Sequence, residues 1–104
     1  MAEQWMRIAG RDELPPGKMR RIEFRERRIL LANVGGRFYA TDDTCTHEDA
    51  SLASGFLRHD WVQCPLHGSR FNVRTGEVAD EPAVVNLRTY AVRIDGNDIW
   101  LDLA

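Results

Sequence analysis

Cys45 and His47, with one residue between them, are followed by Cys64 and His67, with two between them. Sixteen residues separate the pairs, which use both cysteines and two of the three histidines of the chain. Each pair is short enough to sit on one tight loop, so two loops could grip one metal centre from opposite sides. Thiolates and imidazoles are ligands of zinc and of iron–sulfur centres alike. Buried thiols and backbone-satisfied histidines would have no reason to fall into such pairs. A structural zinc site also takes two Cys and two His in a closed tetrahedron, but zinc fingers group Cys with Cys and His with His. Here each loop carries one of each. That mixing suits a binuclear centre, with Cys45 and Cys64 on one metal and His47 and His67 on the other.

Short strands must deliver these loops. Met19–Phe24 alternates charged and apolar residues, the pattern of a half-buried strand. Arg25–Arg28 reads as a solvated hairpin tip. Ile29–Val34 is an almost unbroken apolar run that ends in Gly35-Gly36, a strong hairpin signal leading into a strand over Arg37–Thr41. The first candidate loop begins directly after it. Phe56–Leu57 and Trp61–Gln63, around Arg58-His59-Asp60, predict a short hairpin that carries Cys64 to its place. Gly76 marks a turn between Arg70–Val73 and Val78. Gln4–Ala9, Leu87–Ile94 and Asp98–Leu103 complete the expected strands. With turns at regular intervals and no helical period, the chain is expected to be all-β, a sandwich or small barrel.

The stretches CTHEDASL (residues 45–52) and CPLHGSRF (residues 64–71) resemble the two cluster-binding loops of Rieske proteins. In that family one iron of a [2Fe-2S] cluster is held by two Cys and the other by two His. The resemblance covers nearly the whole chain. It implies a Rieske fold over residues 1–104: an antiparallel β base with an inserted two-loop cluster subdomain, approximately residues 44–70. It also implies a third, covering loop, whose proline matches Pro82. One [2Fe-2S] cluster on Cys45, His47, Cys64 and His67 follows, with the outer nitrogens of both imidazoles facing solvent. His59 matches no ligand position and is read as a surface histidine.

High-potential members of the family carry a disulfide between the loops, at positions matching Ala50 and Leu66. Neither is Cys here. Their Ser and Tyr hydroxyls correspond to Ser69 and Phe71, so one hydroxyl of two is retained. Hydrogen bonds to cluster sulfurs favour the reduced form, which places the expected potential in the lower part of the Rieske range of about −150 to +300 mV.

The chain of 104 residues is one domain of a size that benefits from a metal fastening. A net charge of −2 argues against bulk nucleic-acid binding. Charge is unevenly spread: residues 1–40 hold nine Lys/Arg against five Asp/Glu, and residues 41–104 hold five against eleven. Asp42, Asp43, Glu48 and Asp49 flank the first loop, either as a solvated face or as an acidic docking rim. No apolar run is long enough to span a membrane and the N-terminus has no signal-peptide pattern, so a cytoplasmic location is expected.

A nucleotide-binding glycine motif, a nucleophile elbow and a spare Cys are all missing from the sequence. The resemblance therefore implies an electron carrier, not an enzyme: the ferredoxin component of an aromatic-ring dioxygenase system for aromatic hydrocarbon catabolism. Its partners would be a flavoprotein reductase and a terminal oxygenase, and it would be a monomer in isolation. Leu66 and Pro82 would line the contact patch around the imidazoles. The alternatives are a small Rieske subunit of a nitrite-reductase-like complex and a zinc-stabilised interaction module.

Overall fold

The apolar run Ile29–Val34, interrupted only by Asn33, is nearly continuous because the strand that contains it is buried on both faces. In the computed structural model, which describes residues 3–104, this strand is β3 (Arg27–Val34). Ile29 and Leu31 point into one core, and Leu30 and Ala32 into another; all four are fully buried. Side chains alternate across a strand, so a continuous apolar run is what a strand between two cores requires.

Three antiparallel sheets surround these cores. The first has the order β1-β11-β10, from β1 (Trp5–Gly10), β11 (Asp98–Asp102) and β10 (Val92–Asp95). The second has β3 between β2 (Met19–Phe24) and β4 (Arg37–Asp42), with β9 (Thr89–Tyr90) on the far side of β4. Ala9, Ile99 and Leu101 of the first sheet meet Ile29, Leu31, Phe38, Ala40 and Tyr90 of the second. This sandwich is the base. The third sheet follows chain order: β5 (Phe56–Arg58), β6 (Trp61–Gln63), β7 (Arg70–Asn72) and β8 (Val78–Asp80). Its Val62 and Phe71 pack with Leu30, Ala32, Leu52 and Leu87 around both cysteines.

The β3–β4 turn takes the expected form. Gly35 and Gly36 have φ of 60° and 96°, and Val34 pairs with Arg37. Positive φ at both central residues matches the turn to the strand twist, and glycine adopts it without strain. Gly76 answers a different need. A Cβ there would lie 2.3 Å from the Leu87 carbonyl, so only glycine allows that approach.

Two expected elements differ. Leu87–Ile94 is not one strand: Tyr90 pairs with Ala40 in the second sheet, whereas Val92 pairs with Leu101 in the first. The chain changes sheets at Ala91, and period-two alternation does not reveal the change of neighbour. The hairpin tip is also tighter than Arg25–Arg28. Only Arg25 and Glu26 form the turn, while Arg27 and Arg28 already pair with Phe24 and Glu23. Among the described residues the helical segments are two 3-10 turns, Arg11–Glu13 and Leu52–Ser54. No helix is long and apolar enough to cross a membrane.

Candidate metal centre

The first loop leaves β4 through Asp43, which is fully buried. Its carboxylate accepts the Ser51 hydroxyl at 2.6 Å and the Ala53 amide at 2.8 Å. Its carbonyl accepts the Leu52 amide at 2.8 Å. One side chain thus ties the start of the loop to its end. Inside the ring the Cys45 amide donates to the Ala50 carbonyl at 2.9 Å. Cys45 faces the core, 3 % exposed, while His47 points outward.

The second loop leaves β6 and is closed by the Cys64 amide donating to the Ser69 carbonyl at 2.8 Å. Gly68, at φ 78°, lets the chain reverse within it. Cys64 is 3 % exposed, and Pro65, Leu66 and His67 are exposed. Burial pushes the Cys64 thiol up, and the Leu66 and His67 amides, donating toward its sulfur, pull the other way. Such amides suit a metal-bound thiolate, because they hydrogen-bond to its negative charge.

A third segment, 80–87, lies over both loops. The Ala83 amide donates to the buried Ser69 hydroxyl at 3.0 Å, and the Thr46 hydroxyl donates to the Val85 carbonyl at 2.6 Å. Arg70 pairs with Asp80 and stacks on Trp61, its guanidinium 4.6 Å from the ring centre. Pro82, preceded by a cis peptide bond, is half-buried. The segment's outward apolar surface is Val84, 81 % exposed, and Val85, 57 %. Leu66 on the second loop is 59 % exposed.

The result is a two-level donor set, with two thiols inside and two imidazoles outside. The rings of His47 and His67 lie edge to face with centroids 5.4 Å apart. Among the described residues, the ligating atoms of His47, Glu48 and His67 gather within 4.8 Å of one another, and neither thiol joins that group. A single tetrahedral zinc would hold all four Cys and His donors at about 2.0–2.3 Å from one point. Imidazoles grouped apart from the thiols suit two metals, one held at each level, as in a [2Fe-2S] centre with His on one iron. The donor set fits that group.

A Rieske [2Fe-2S] domain model matches residues 4–91. The chain belongs to the Rieske family. Among its relatives, the ferredoxin component of biphenyl 2,3-dioxygenase from Rhodococcus jostii (strain RHA1) is 46% identical over 97 residues, covering 93% of this chain and 91% of that protein. The ferredoxin component of the 2,4-dinitrotoluene dioxygenase system from Burkholderia sp. (strain RASC) is 41% identical over 103 residues, with 99% of each covered. Among solved structures, the complex of reduced oxygenase and oxidized ferredoxin in carbazole 1,9a-dioxygenase contains a chain that aligns with a TM-score of 0.91. That chain is 36% identical, with 94% of this chain and 92% of that one covered. The all-β Rieske fold expected from the sequence is therefore the fold observed.

Most residues singled out in the sequence meet at this end of the molecule. Phe71 is buried beneath the loops and gives the centre no hydroxyl, and Ser69, two residues before it, is also buried. Cys45 and Cys64 are both free thiols. His59 is exposed on the β5–β6 turn. The acidic rim is smaller than expected. Asp43 is internal and Asp42 accepts the Tyr90 hydroxyl at 2.5 Å, leaving Glu48 and Asp49 on the surface. Sequence reasoning missed Val84, Val85 and the Thr46 staple. An apolar pair just beyond the covering-loop proline was the available signal.

Proposed function

We propose that this Rieske protein is a soluble one-electron carrier, the ferredoxin component of an aromatic-ring dioxygenase system. It takes electrons from a flavoprotein reductase and passes them to a terminal oxygenase, and the oxygenation itself belongs to that partner. The observation that carries this reading is the vertical order of the centre: thiols in the core, imidazoles at the surface, exposed Leu66 on the second loop, and exposed Val84 and Val85 on the segment that covers both loops. Relatives covering almost the whole chain are ferredoxin components of dioxygenase systems, which supports the same assignment.

In this reading Cys45 and Cys64 would hold one iron of a [2Fe-2S] cluster, and His47 and His67 the other. The cluster supplies reversible storage of a single electron. The chain does the rest. Phe71, Leu52, Val62 and Leu30, all fully buried, exclude water beneath the thiolates. Ser69 accepts the Ala83 amide and so keeps its own proton free to donate toward the cluster. Leu66, Val84 and Val85 offer apolar surface that a partner covers, bringing the imidazoles to the interface. No substrate pocket is needed for this work.

The test is stopped-flow electron transfer with a dioxygenase reductase, NADH and a terminal oxygenase of the aromatic-ring class. The proposal predicts reduction of the protein by the reductase and reoxidation by the oxygenase, both in stoichiometric one-electron steps. A protein that accepts electrons chemically, but exchanges none with any such reductase or oxygenase, contradicts the pathway assignment.

A further inference from the structure

Glu48 follows the ligand His47 and belongs to none of the expected ligand positions. One of its carboxylate oxygens lies 3.6 Å from His47 Nε2 and 3.5 Å from His67 Nδ1. It therefore touches one ring from each loop. Both distances exceed a normal hydrogen bond, so the contact acts through charge and not through a shared proton. The Glu48 side chain is 41 % exposed, placing it at the edge of solvent. Its neighbour Asp49 has the same charge but a different situation. Asp49 is 88 % exposed and its nearest charged partner is Arg28, at 4.0 Å.

We propose that Glu48 is a potential-setting residue, a single carboxylate lying against both imidazoles that disfavours arrival of the electron. The inference rests on the cluster assignment made above. The same oxygen faces Nε2 of His47 and Nδ1 of His67, so it acts on both rings as a nearby charge. Reduction adds negative charge at the centre, and a carboxylate against the ligand rings opposes that addition. Glu48 thus acts in the direction opposite to a hydrogen bond from Ser69, and the two residues set the potential between them.

The experiment compares midpoint potentials of the cluster-loaded wild type, E48Q, E48D and D49N at pH 7 in low salt. E48Q keeps size and removes charge. It is expected to shift the oxidised–reduced equilibrium about fivefold toward the reduced form, about 40 mV at about 59 mV per tenfold for one electron. E48D, which withdraws the carboxylate by one methylene, is expected to fall between wild type and E48Q. D49N is expected to move the equilibrium by less than about twofold, and the E48Q difference should shrink in 1 M salt, as half-exposed charge is screened. An E48Q midpoint equal to wild type overturns the inference while leaving the carrier assignment standing. A D49N shift as large as that of E48Q also overturns it, because the effect would then be diffuse surface charge. A wild type with no reducible centre would instead bring down the cluster assignment itself.

Discussion

The Ser69 hydroxyl accepts the Ala83 amide at 3.0 Å, in a position where both residues are almost wholly buried. This one bond ties the covering segment to the second ligand loop. The next residue, Arg70, pairs with Asp80 and ties the same segment from its other end. Thr46, between the first two ligands, completes the attachment by donating to the Val85 carbonyl. Three polar contacts thus hold the covering segment to the two loops.

Ser69→Ala should therefore have two separable effects. Loss of the acceptor leaves the Ala83 amide buried and unpaired, at a cost of about 1–3 kcal/mol. Loss of the donated proton should lower the midpoint potential, since hydrogen bonds toward the cluster favour the reduced form. Denaturant melts and a redox titration of the same variant read the two effects independently. An unchanged midpoint alongside reduced stability would make Ser69 a purely structural residue.

Asp43 anchors the first loop, and its removal should be felt as loss of the centre. Asp43→Ala strips the acceptors from Ser51 and Ala53, with an expected cost of about 2–4 kcal/mol. Ser51→Ala removes one neutral donor and should cost about 1 kcal/mol. Iron content per chain should fall in the same order, steeply in the first variant and slightly in the second. Equal iron loading in all three proteins would show that the loop closes without this clamp.

The outward apolar patch predicts a docking phenotype free of any redox phenotype. Val84 is 81 % exposed and packs in neither core, so Val84→Asp should leave stability within about 0.5 kcal/mol. Burying a carboxylate against a partner without a compensating charge is unfavourable, so binding to the oxygenase should weaken by tenfold or more. The apparent KM of the oxygenase for the reduced protein reports this. A KM equal to wild type would remove Val84 from the interface.

Tyr90 carries a pH signature remote from the metal. Burial, reinforced by its hydrogen bond to Asp42, pushes the phenol up to about 12. The fold favours the neutral phenol, so this stabilisation is fully present below the ordinary value of about 10 and is lost as pH rises toward about 12. It amounts to at most about 2–3 kcal/mol. Tyr90→Phe should be less stable than wild type at neutral pH and should lose less between pH 9 and 11. Parallel alkaline curves for the two proteins would contradict this.

The fold was legible where one physical cause dominated the pattern. Gly35-Gly36 allows positive φ at both turn positions without strain, and the apolar run Ile29–Val34 is stable only when buried. The misreadings have a common origin in long-range pairing. Leu87–Ile94 alternates regularly, yet its two halves serve different sheets, because alternation records a face and not a partner. Asp42 and Asp43 look like surface residues until Tyr90, Ser51 and Ala53 arrive from elsewhere in the chain to satisfy them. At the candidate centre the residue types and spacing of the four proposed ligands were plain. The positions of Glu48 between two rings and of Val84 outside the core depend on how three loops meet, which no local pattern encodes.

The central claim, a cluster held by Cys45, His47, Cys64 and His67, is tested most directly by electron paramagnetic resonance of the purified protein before and after dithionite reduction. The account predicts a brown protein, silent as isolated, that gains on reduction a rhombic one-electron signal with the low average g of mixed histidine and cysteine ligation. His67→Cys should retain iron but move that signal toward the pattern of an all-thiolate cluster. A colourless protein containing one zinc and no reducible centre would contradict the account and leave a metal-stapled binding module.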